Sequence, residues 1–95
     1  MFSIQHFAGA ENQMFELNMG EASMPLTLVE VKPLPPRPFP GMLRDPFSLV
    51  FKSESPVILP QKQYRLKNAT MGSVELFLVP IGRDLRGILY QAVFN

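Results

Sequence analysis

The chain has no cysteine and no tryptophan, and His6 is its single histidine. Without cysteine there is no disulfide, no thiolate metal site and no thiol redox chemistry. A lone imidazole beside Phe7, with no clustered carboxylates, does not make a protein-only zinc site of the ordinary type, so no metal or other cofactor is expected. An excess of one charge is also missing. Nine Lys and Arg stand against eight Asp and Glu, a net charge of +1. That balance supplies no field for nucleic acid, an acidic substrate or an anionic membrane, and neither nucleic acid nor membrane is expected as a partner. No apolar stretch approaches the roughly 20 residues that cross a bilayer. The first residues lack the basic start and long apolar run of a signal peptide. The expected location is cytoplasmic, or within an assembled particle.

The catalytic inventory is thin. A serine-hydrolase triad needs a base and an orienting acid. The one base histidine is His6, the aspartates are Asp45 and Asp84, and no Gly-x-Ser-x-Gly elbow occurs. Nothing selects two of the carboxylates as a glycosidase pair, and there is no glycine-rich phosphate loop. The expectation is a protein that is not an enzyme.

What the chain does have is proline (10), glycine (6) and phenylalanine (8) within 95 residues, 46% of them apolar. That apolar content supports a core and argues against disorder. The length fits one domain, residues 1–95. Proline and glycine divide the sequence into short runs. Residues 2–12 place Phe2, Ile4 and Phe7 together, as a short helix or an irregular cap would use them. Phe15, Leu17 and Met19 then alternate with polar neighbours, the period of a half-buried strand. Residues 25–32 form a second strand, with Leu26 and Leu28 on one face and Thr27, Val29 and Val31 on the other, suited to cover on both sides. Six prolines within residues 33–46 exclude helix and central strand. An extended crossover between sheets or sheet edges is expected there. Phe47, Leu49 and Phe51 alternate cleanly in a third strand. Residues 57–60, Val-Ile-Leu-Pro, read as an apolar link packed on a core edge. Tyr64 and Leu66 mark a fourth strand, and residues 68–72 a turn with glycine at its exit.

The most apolar part is residues 73–95. Two β-prone runs flank a short polar turn, which predicts a hairpin. Pro80 is expected where the first strand leaves the ladder, or at a bulge. Both runs are apolar on both faces, so one face should meet a second layer or another chain. Six short strands with regular turns predict an all-β fold, a small antiparallel sandwich or a partly open barrel.

The most distinctive polar cluster is Arg83-Asp84-Leu85-Arg86. As a binding tip, Asp84 would accept turn amides while Arg83 and Arg86 reach a carboxylate or phosphate. As structure alone, it is a hairpin loop with an Asp-stabilised turn, and the structural reading weighs more. Lys32-Pro-Leu-Pro-Pro-Arg-Pro38 matches the loose pattern of polyproline-domain ligands, but a rigid connection accounts for it better. Asn68-Ala69-Thr70 matches a glycosylation sequon and is read as a turn. Met14, Met19 and Met24 suit core filling, or a Met-lined partner surface.

Tyr64-Arg65-Leu66, Gly72, the run from Glu75 to Asp84 (Glu-Leu-Phe-Leu-Val-Pro-Ile-Gly-Arg-Asp), Gly87, Tyr90 and Ala92-Val93-Phe94-Asn95 resemble the signature of a small bacterial family, domain of unknown function 6916. Phe47-Ser48-Leu49-Val50-Phe51 and Leu59-Pro60-Gln61 fit the same pattern. The resemblance covers about the last two-thirds of the chain. It implies a prokaryotic or phage-type source and an all-β fold, and it brings no established activity and no catalytic residue.

The expected function is a non-catalytic protein-binding or assembly module, whose partner is another protein or the chain itself. A structural accessory of a phage-tail-like particle is one alternative. A small-ligand or carbohydrate binder is another, using Tyr64 or Tyr90 with the Arg83–Arg86 loop. The candidate binding residues are Arg83, Asp84, Arg86 and Tyr90. An enzyme would need Glu75, Tyr90 and Arg83 within reach of one another in a pocket.

Overall fold

The structure, a computed structural model, describes residues 2–35 and 45–95. A single helical turn, α1 (Ile4–Ala8), precedes six strands: β1 (Met14–Asn18), β2 (Ser23–Pro33), β3 (Phe47–Ser53), β4 (Lys62–Asn68), β5 (Gly72–Asp84) and β6 (Gly87–Phe94). The strands form one antiparallel sheet in the order β1-β2-β3-β6-β5-β4, and β4 returns to β1, closing the sheet into a ring. The outcome is therefore the barrel-like alternative, with one sheet and not two. The closing seam is short. In the β1–β4 ladder only Glu16 with Lys67 and Leu17 with Leu66 are in register.

The period-two alternation decides which side chains fill the ring. Phe15 and Leu17, Leu26 and Leu28, Leu49 and Phe51, Leu66, Leu76 and Leu78, and Tyr90 and Ala92 are all buried in one cluster. Two bulges adjust the faces. The one between Leu28 and Glu30 turns Val31 inward opposite Leu49, so Val31 packs against the core while Val29 remains exposed. β2 is thus covered on one face and not on two. The second bulge lies between Pro80 and Gly82, where a residue without an N–H costs the ladder least.

Each end of the ring has its own closure. α1 contributes Phe7, fully buried, whose ring lies 5.9 Å from Phe47 and 5.6 Å from Phe94, themselves stacked at 4.5 Å. A helix of five residues has no stability of its own. Burial of Phe7, on the order of 2–3 kcal/mol, holds it in place. At the opposite end, residues 54–61 cross from β3 to β4. Leu59 is buried there, its N–H donating to the Tyr90 hydroxyl at 3.0 Å. The Tyr64 hydroxyl donates to the Pro60 carbonyl at 2.5 Å.

Two expectations change here. The strands on either side of residues 33–46, β2 and β3, are neighbours in the sheet. Pro33 is in register with Phe47, and the Leu34 N–H donates to the Pro46 carbonyl at 3.0 Å. The rest of that segment, 36–44, lies outside the described residues. The crossover is instead the 54–61 segment, and only part of its apolar run packs: Leu59 is buried while Val57 and Ile58 are exposed. An alternating pattern cannot separate a link that plugs a barrel end from one that lies over it.

Candidate interaction surface

The turn between β5 and β6 is built around one carboxylate. Asp84 pairs with Gly87 in the ladder, leaving Leu85 and Arg86 as the turn. Asp84 Oδ1 accepts the N–H groups of Arg86 at 2.8 Å and Gly87 at 3.1 Å. Its Oδ2 accepts Lys52 Nζ at 2.6 Å, tying the tip to β3. The Lys52 hydrogen bond, followed by the Arg86 amide, holds the Asp84 carboxyl below its ordinary value. Gly87 permits a close passage: a Cβ there would lie 1.7 Å from the Ser53 carbonyl oxygen. The structural reading of Arg83-Asp84-Leu85-Arg86 thus describes Asp84, which faces its own turn.

Arg83, Leu85 and Arg86 project outward. Among the described residues neither arginine has an ion pair, and Leu85 is fully exposed. A two-residue turn gains nothing from a leucine that touches nothing. The same hairpin carries further apolar side chains on its outer side. Phe77 and Val93 are each 49% exposed and Ile81 is 48% exposed. Four of the nine exposed large apolar residues of the described chain therefore belong to β5, β6 and their turn.

Tyr90 is not on that surface. It is 1% exposed, faces the core, and uses its hydroxyl to accept the Leu59 N–H and to meet the Val57 carbonyl. Alternation put Tyr90 and Ile88 on one face, and that face proved to be the inner one. Tyr64 is likewise buried, and its burial, with the nearby Tyr90, pushes its phenol above the ordinary value. Glu75 pairs with Arg65 at 3.0 Å. Glu75, Tyr90 and Arg83 are thus not brought together.

A second surface follows the β1–β4 seam. Met14, 59% exposed, borders an apolar cleft of about 600 Å³ with Ala69 and Gly72. An adjoining cleft of about 380 Å³ shares Glu16 and Lys67 with it and reaches Glu21. Asn68 anchors this region from beneath, its amide donating to the Met14 carbonyl at 2.9 Å and to Gln13 Oε1 at 3.1 Å. Its carbonyl oxygen accepts the Thr70 and Met71 N–H groups. The sequence marked Asn68 as a turn residue but gave no sign of its link to β1, 54 residues away. Lys52 was equally silent, 32 residues from Asp84.

No helix among the described residues is long and apolar enough to cross a membrane. The chain belongs to the family described as Domain of unknown function (DUF6916), whose family model matches residues 2–94. No curated protein and no solved structure matches the chain.

Proposed function

We propose that this member of the family is a non-catalytic protein-binding or assembly module, which meets a second copy or another protein through the outer side of the β5–β6 hairpin. The observation that supports this is the concentration of Phe77, Ile81, Leu85 and Val93 on one hairpin. Exposed large apolar side chains gathered on one element, unlike those scattered singly over a surface, point to a contact site. The preformed turn adds to the case, since a contact element that is already ordered costs little entropy on binding. The inward engagement of the Tyr64 and Tyr90 hydroxyls weighs against a sugar site built on those rings.

The test is the molar mass of the chain by light scattering after size exclusion, for the wild type and for Phe77→Lys combined with Val93→Lys. Self-contact predicts that an assembled wild type drops to the 10.7 kDa of one chain, with an unchanged far-UV spectrum. An assembly that survives both lysines would sink the proposal. If the wild type is already a single chain, the partner is another protein, and only the unsubstituted hairpin should capture it.

A further inference from the structure

Deepening that reading, we infer that the partner of the hairpin tip is a second copy of this chain. Leu85 enters the apolar cleft beside Met14, and Arg83 and Arg86 reach the carboxylates on its rim. The inference rests on the proposed protein-contact role and adds the occupant and the geometry.

The two surfaces are complementary in kind. The tip presents an exposed leucine flanked by two arginines that have no ion pair among the described residues. The seam presents an apolar cleft bordered by Met14 and Ala69, with Glu16 on its edge and Glu21 in the adjoining cleft. Other charges are present at the seam. Arg65 is neutralised by Glu75 at 3.0 Å, and Lys67 stands opposite Glu16 in the β1–β4 register. Neither Glu16 nor Glu21 has an ion pair among the described residues. Methionine suits such a socket, because its unbranched side chain adapts to the shape of an inserted group. Arginine suits the rim, because its planar fork pairs with carboxylates.

A chain cannot fill its own socket. β6 is the strand farthest from β1 around the ring, and the tip is fixed to β3 through Lys52 and Asp84. The contact therefore joins two different patches on two copies. Such a heterologous contact repeats from copy to copy and gives a ring or an open chain, not a two-fold dimer.

Charge exchange tests it. Light scattering would be run on the wild type, on Arg83→Glu with Arg86→Glu, on Glu16→Lys with Glu21→Lys, and on an equal mixture of the two variants. The inference expects the wild type to assemble and each variant alone to weaken association by about tenfold or more. The mixture should restore the assembly as an alternating ring or chain, because the reversed tip of one variant matches the reversed rim of the other and the two unaltered patches match each other. Raising salt to about 1 M, where the Debye length is roughly 3 Å, should weaken the wild-type assembly. A wild type that stays a single chain at every concentration overturns the inference, as does an assembly that both charge variants retain. An assembly broken by Phe77→Lys and Val93→Lys but indifferent to charge reversal overturns the inference alone and leaves the outer-face proposal standing.

Discussion

Replacing Gly87 by alanine should unfold much of the hairpin's support. The Cβ would sit 1.7 Å from the Ser53 carbonyl oxygen, 2.8 Å from its carbon and 3.0 Å from Glu54 Cα. All three are backbone atoms, so no side-chain rotation relieves the overlap. β6 would have to withdraw from the end of β3 by more than an ångström. That movement gives up the Ser53–Ile88 pairing and disturbs the Asp84 turn, which includes the Gly87 N–H. Gly87 also has φ +157, a backbone region in which a side chain adds strain of about 1–3 kcal/mol. A forced backbone shift adds about 1–3 kcal/mol, giving roughly 2–6 kcal/mol together. For a domain of this size each kcal/mol moves Tm by about 4–8 °C, so a fall on the order of 10–50 °C is expected. Gly82→Ala is the control, five residues upstream on the same hairpin, with nothing within 4 Å of its would-be Cβ. It should change stability by no more than about 0.5 kcal/mol. Thermal and urea unfolding followed by circular dichroism measures both. If Gly87→Ala melts within about 3 °C of Gly82→Ala, the close passage of β6 by Ser53 is wrong.

Asn68→Ala removes the amide that bridges β4 to Met14 and Gln13 and should cost about 1–3 kcal/mol; native-state hydrogen exchange should accelerate first at the two-pair β1–β4 seam. Asp84 has a folded-state pKa below its ordinary 3.8, so its stabilising contribution is present above that value and is lost as pH falls through the lower folded one. Asp84→Asn should therefore differ from wild type at neutral pH and converge with it in acid. A carboxyl-carbon NMR titration with Asp84 at or above the ordinary value would contradict the Lys52 contact.

Much of the fold was legible because the strands follow the simplest rule available. In β3 and β4 every second residue is bulky and apolar, and those residues are buried: Phe47, Leu49 and Phe51, then Tyr64 and Leu66, although Ser48, Val50 and Ser53 of β3 are buried as well. The final hairpin was legible for the same reason. Two other features resisted. Ring closure depends on which strand edges meet, and the alternation of β1 says nothing about β4. The proline-rich segment read as a crossover because its composition forbids regular structure, yet composition does not say whether the strands on either side are neighbours. At the candidate surface, local chemistry predicted that Asp84 would accept its turn amides, and it accepts those of Arg86 and Gly87. Tyr90, a candidate binding residue, lies inside the ring; a strand apolar on both faces does not show which face turns inward. Lys52, Asn68 and the tight fit at Gly87 depend on partners far away in the chain, which only the closed sheet brings near.

The most direct measurement is a dilution series of amide NMR spectra, from about millimolar, where contacts with Kd in that range are populated, down to tens of micromolar. The account predicts concentration-dependent shifts or broadening at Phe77, Ile81, Leu85 and Val93, with a second set at Met14, Glu16 and Glu21. Signals that move elsewhere while these stay fixed, or no movement at any concentration, would contradict assembly through the β5–β6 hairpin.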